Sequence, residues 1–69
     1  MKRIAIIGAG SWGTALAVVA ARAGHSVSLW SRNAEVISSI NERRVNSRYL
    51  VSTTIPTNVT ATGDLSEAL

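Results

Sequence analysis

Sixty-nine residues is short for an enzyme. A chain of ~60 residues buries only about 60% of its unfolded surface and is marginal without a staple. Cysteine is absent, which excludes a disulfide framework and a cysteine-rich zinc site. One histidine and four carboxylates (Glu35, Glu42, Asp64, Glu67) are too few for most all-protein metal sites, so no metal ligand is assigned. Hydrophobic content of 46% with 16% charged residues describes a globular chain, and a net charge of +3 permits an anionic partner without identifying one. No apolar run approaches the ~18 residues of a membrane span.

Ile4-Ala5-Ile6-Ile7 is short, apolar and isoleucine-rich, which predicts a strand buried on both faces, as in a parallel sheet. Gly8-Ala9-Gly10-Ser11-Trp12-Gly13 is a glycine-rich turn. Thr14 to Ala23 favours helix, has no breaker, is apolar nearly all round and so is expected to be covered on most sides, and is followed by Gly24 as a stop. Ser26 to Trp30 alternates polar and apolar residues, the period of a second strand. Asn33 is placed to cap a second helix, with Glu35 near its positive end, an apolar stripe of Val36, Ile37 and Ile40, and Glu42-Arg43-Arg44 at a frayed or solvated terminus. Arg48 to Gly63 reads as loop with a short strand at Val59-Thr60-Ala61. Asp64 and Glu67 have the spacing of a capping box at the start of a third helix. A cap with so little helix behind it suggests a fragment. The expected fold class is α/β, an incomplete Rossmann (βαβ) unit on a parallel sheet, with residues 1–69 as the N-terminal part of the domain.

Gly8-x-Gly10-x-x-Gly13, after a buried strand and at the mouth of a helix, fits the dinucleotide-binding fingerprint. Gly8 serves the tight turn, Gly10 lets a pyrophosphate approach the backbone, and Gly13 lets helix and strand pack closely. The backbone N–H groups of Ser11 and Trp12, and the Ser11 hydroxyl, are candidate phosphate donors. A P-loop shares the spacing of Gly8 and Gly13 but needs a lysine between the second glycine and the hydroxyl residue, and here Thr14 follows Gly13 directly. NAD binders usually place a carboxylate at the end of the second strand. This chain reads Trp30-Ser31-Arg32 there, with no carboxylate before Glu35. An arginine can clasp a 2′-phosphate that a carboxylate would repel, so NADP(H) is expected as cofactor through Arg32, helped by Ser31 and Asn33, with NAD(H) as the alternative.

Ile7 to Ala17, Ala23 to Arg32, the block Asn41-Glu42-Arg43-Arg44 with Asn46-Ser47-Arg48-Tyr49-Leu50, and the closing Asp64 to Leu69 together resemble the start of NAD(P)-dependent glycerol-3-phosphate dehydrogenase. The resemblance spans essentially the whole chain, with Val51-Ser52 standing where the family usually turns with Pro-Gly. It implies reduction of dihydroxyacetone phosphate to sn-glycerol 3-phosphate, feeding glycerophospholipid synthesis, in a cytoplasmic homodimer. It also implies a C-terminal helical substrate domain beyond these residues. The cofactor positions it carries over are Ser11, Trp12, Arg32, Asn33 and Tyr49. The family's catalytic lysines fall beyond Leu69, so no catalytic residue is expected within 1–69, and Lys2 precedes the first strand.

Three other readings are weighed. A secretory precursor would explain Met1-Lys2-Arg3 before apolar residues and the small residues at Ala20-Ala21-Arg22-Ala23, and Asn58-Val59-Thr60 is a glycosylation sequon. Gly8, Gly10, Ser11 and Gly13 nevertheless break the apolar core it needs. A nucleic-acid binder would use Arg43, Arg44 and Arg48, but only Tyr49 interleaves an aromatic, so no nucleic acid is expected as partner. Another nucleotide-dependent enzyme, of ketopantoate reductase or hydroxyacyl-CoA dehydrogenase type, shares the fingerprint but not the Ser-Trp and Arg-Tyr-Leu details. His25 reads as a surface turn residue.

Overall fold

The computed structural model describes residues 2–48 and 54–69. The chain runs β1 (Arg3–Ile7), α1 (Ser11–Arg22), β2 (Ser26–Trp30), α2 (Ala34–Arg43), β3 (Val59–Thr62) and α3 (Leu65–Ala68). The three strands form one parallel sheet in the order β1-β2-β3. This is the incomplete Rossmann unit that the βαβ pattern predicts.

Register explains where the core sits. Ile4 pairs with Val27 and Ile6 with Leu29, while Val27 pairs with Val59 and Leu29 with Ala61. Alternation along each strand puts these six residues on one face. Ala17, Val18 and Ala21 of α1, Val36 and Ile40 of α2, and Ile55 from the α2–β3 connection pack there as one cluster. Ala5, Ser28 and Thr60 share the opposite face, and α3 packs against the strands with Ala68 buried.

That asymmetry corrects two expectations. β1 is not buried on both faces: Arg3, Ala5 and Ile7 are exposed and Ile4 and Ile6 half-buried. Among the described residues its outer edge has no partner strand. Nor is α1 covered on most sides, because only Thr14, Ala17, Val18 and Ala21 are buried, leaving Trp12, Leu16 and Val19 exposed. Helical spacing turns those three away from the sheet.

Helix ends follow local chemistry closely. α1 starts at Ser11, three residues before the expected Thr14, because the glycine turn itself supplies the first helical turn. At its other end the His25 N–H donates to the Ala20 carbonyl (3.2 Å) and the Gly24 N–H to that of Ala21 (3.0 Å). This is a Schellman closure, with Gly24 at φ +94° as expected of a C′ glycine. Asn33 caps α2 as predicted, its Oδ1 accepting from the N–H groups of Glu35 (2.9 Å) and Val36 (3.2 Å). Asp64 caps α3 the same way, accepting from Ser66 (3.0 Å) and Glu67 (3.3 Å). The capping box is not reciprocal, however: the Asp64 N–H donates to Thr62 Oγ1 (3.1 Å) rather than to Glu67.

Arg44 departs furthest from its expected place at a solvated helix end. It closes α2 in the left-handed region at φ 57°. Its guanidinium then turns inward, donating to the carbonyls of Ile55 (3.2 Å), Val59 (2.6 Å) and Pro56. These bonds tie the α2–β3 connection to the end of α2. They also commit one of the three arginines that a nucleic-acid surface would need.

Candidate functional site: a cleft at the glycine turn

The three fingerprint glycines occupy different environments. Gly8 leaves β1 at φ +113°, a conformation that L side chains rarely adopt, and its N–H donates to the Trp30 carbonyl (2.9 Å). A Cβ on Gly13 would lie 2.0 Å from the Gly8 carbonyl oxygen and 3.5 Å from Ile6 Cγ2, so only glycine permits this approach of helix to strand. A Cβ on Gly10 would meet no protein atom within 4 Å.

Gly10 is also the N-cap of α1, and no side chain caps that helix. α1 has no acidic residue in its first turn, whereas α2 and α3 have Glu35 and Glu67 there besides their capping side chains. The positive end of α1 is thus the one helix N-terminus left without a side-chain anion among the described residues. Its orphan N–H groups suit an external anion.

The turn is braced from below. Thr14 is fully buried and its hydroxyl donates to the Ala9 carbonyl (3.4 Å). Asn46, also fully buried, donates from Nδ2 to the same carbonyl (2.9 Å) and to Thr14 Oγ1 (2.8 Å). Its Oδ1 accepts from the Arg48 N–H (3.1 Å). One amide therefore links the glycine turn, the first turns of α1 and the chain leaving α2.

Above this brace lies a cleft of about 350 Å³. Gly8, Ala9 and Gly10 of the glycine turn, Trp30, Ser31, Arg32 and Asn33 from the end of β2, and Val36 and Arg48 line it. No carboxylate is among these residues. Ser31 is buried and its Oγ accepts from the Asn33 N–H (3.1 Å), so it shapes the turn that presents Arg32. The Asn33 Oδ1 is occupied by the α2 cap. The Arg32 guanidinium sits 5.9 Å from the centroid of the Trp30 ring, a cation–π distance. The Trp30 Nε1–H donates to the Gly63 carbonyl (3.1 Å), which holds that ring in place.

Of the predicted site residues, Gly8, Gly10, Arg32 and Asn33 come together on the cleft. Ser11, Trp12 and Gly13 form the first turn of α1, and the Trp12 side chain is 78% exposed. Tyr49 lies outside the described residues. The sequence reading missed Arg48 and Asn46 as parts of the site, since nothing in their local spacing ties them to a turn some 37 residues earlier. His25 lies in the turn before β2, as expected, with Nδ1 accepting from the Lys2 N–H (3.1 Å). Among the described residues no cluster of three or more histidines, cysteines and carboxylates could hold a metal, and no helix is long and apolar enough to cross a membrane.

Comparison with known proteins agrees with this fold. The chain is 51% identical over 69 residues to a glycerol-3-phosphate dehydrogenase [NAD(P)+] of Bacillus mycoides (strain KBAB4), covering all of this chain and 20% of the relative. It is 54% identical over 66 residues to the protein of that name from Halorhodospira halophila (strain DSM 244 / SL1), covering 96% of this chain and 20% of the relative. The crystal structure of glycerol-3-phosphate dehydrogenase from Coxiella burnetii superposes with a TM-score of 0.89 at 46% identity, over 97% of this chain and 21% of that one. The chain thus spans about a fifth of the length of the relatives it matches. A family model described as NAD-dependent glycerol-3-phosphate dehydrogenase N-terminus matches residues 3–69, and the chain belongs to that family.

Proposed function

We propose that residues 1–69 carry the adenosine and pyrophosphate half of the cofactor site of an NAD(P)H-dependent glycerol-3-phosphate dehydrogenase. The protein they belong to would reduce dihydroxyacetone phosphate to sn-glycerol 3-phosphate for glycerophospholipid synthesis. On this reading the rest of the Rossmann domain, a helical substrate domain and the catalytic residues lie outside this stretch. The working protein is a cytoplasmic homodimer.

The single observation that carries the reading is the uncapped N-terminus of α1 opening on a cleft lined by Arg32 and by no carboxylate. The donor set fits a dinucleotide. Gly10 leaves open space where a side chain would stand, and the first-turn N–H groups of α1 bind and orient a pyrophosphate there. Arg32, presented by the Ser31 turn and backed by Trp30, binds a ribose 2′-phosphate and stacks beside an adenine. When bound, the nicotinamide cofactor supplies the hydride. The part played by these residues is to bind and align its adenosine end.

A titration of the full-length protein with NADPH and NADH tests both layers of the proposal. Arg32→Ala is expected to weaken NADPH about tenfold or more, the scale of a lost charge-assisted contact, and to weaken NADH far less. Equal losses for both would overturn the NADP(H) preference. A folded protein that saturates with neither cofactor would overturn the dinucleotide reading itself.

A further inference from the structure

Arg48 lines the same cleft as Arg32 but arrives from a different part of the chain, five residues past the end of α2. Its surroundings separate it from its neighbours in sequence. The Arg44 guanidinium is committed to three backbone carbonyls. Arg48 is instead exposed, on a cleft that contains no carboxylate to neutralise it. Its backbone is held too: the N–H donates to Oδ1 of the fully buried Asn46 (3.1 Å), whose Nδ2 donates to the Ala9 carbonyl (2.9 Å). One buried side chain thus anchors Arg48 to the glycine turn, whereas Arg32 is anchored at the end of β2, beside Trp30.

Resting on the dinucleotide reading above, we propose that Arg48 is a pyrophosphate ligand, with Asn46 as its positioning residue. The two arginines then divide the cofactor. Arg32 meets the 2′-phosphate, which NADH lacks, and Arg48 meets the pyrophosphate, which both cofactors carry. Two cations on separate anchors in a carboxylate-free cleft suit a ligand whose phosphates lie several ångströms apart. The guanidinium fork of Arg48 can engage two oxygens of one phosphate.

The test is the binding of NADPH, NADH and 2′-AMP to the full-length protein and its Arg48→Gln and Arg32→Ala variants at two salt concentrations, with circular dichroism confirming each fold. Arg48→Gln is expected to weaken NADPH and NADH alike, about tenfold, with a shallower salt dependence and 2′-AMP little affected. Arg32→Ala should do the reverse, weakening NADPH and 2′-AMP. Unchanged binding of both dinucleotides by Arg48→Gln would overturn the assignment, as would a loss confined to NADPH and 2′-AMP, which would make Arg48 a 2′-phosphate ligand. The parent reading fails separately, by absence of dinucleotide binding in the unsubstituted protein.

Discussion

Gly10 and Gly13 belong to one motif but answer to different constraints. Gly13 is a packing glycine, because a methyl there would sit 2.0 Å from the Gly8 carbonyl oxygen, a backbone atom that cannot swing aside. Gly10 has an ordinary φ of −76° and open space where a Cβ would stand. Gly13→Ala is therefore expected to cost about 1–3 kcal/mol of stability or more, the scale of overpacking. Gly10→Ala should leave the thermal midpoint almost unmoved yet weaken cofactor binding about tenfold, because its methyl projects where a phosphate would approach. Paired thermal unfolding and cofactor titration would check this, and a Gly10→Ala protein that binds normally would remove the approach argument. The motif spacing shows that three glycines are needed but not which requirement each one meets. That distinction depends on how close α1 comes to β1.

The helix N-termini form a contrast of their own. α2 and α3 are closed by Asn33 and Asp64, and both caps were legible because their side chains act within three residues of their own position. α3 has only four residues, so its cap matters to it. The Ser66 hydroxyl, and after it the Glu67 N–H, hold the Asp64 carboxyl below its ordinary 3.8. A carboxylate whose folded value is depressed contributes stability above its unfolded value and loses it as pH falls through the folded one. The first turn of α3 is thus expected to loosen below pH 3.8, with amide protection factors at Ser66 and Glu67 falling there. Asp64→Asn, which keeps the capping oxygen without the titration, should flatten that dependence. Protection in the original chain that stays constant through acid would exclude the carboxylate as the cause. The bare end of α1 was legible only in part: the glycines announce it, but the absence of a cap is a fact of the fold.

At the scale of the whole molecule, burial is one-sided. The outer edge of β1 has no partner strand among the described residues, and Trp12, Leu16 and Val19 expose an apolar stripe along α1. An unpaired strand edge and an apolar stripe of this kind favour association. The 69-residue polypeptide expressed alone is expected to self-associate, and Leu16→Lys with Val19→Glu should reduce that association without touching the buried cluster. Sedimentation velocity measures it, and a monomer at high micromolar concentration in the unsubstituted chain would count against the prediction. The order of elements, the parallel sheet, the glycine turn, the Gly24 stop and the two caps could all be read from residue order, because each follows from a short-range period or a steric demand within a few residues. Folding alone decided the inward Arg44, the buried Asn46, the arrival of Arg48 on the cleft and the half-covered β1. Asn46 meets Ala9 across 37 positions and Arg44 meets Val59 across 15. Polar contacts at such separations leave no local pattern. They exist only once the sheet has brought those positions together and burial obliges each polar group to find a partner.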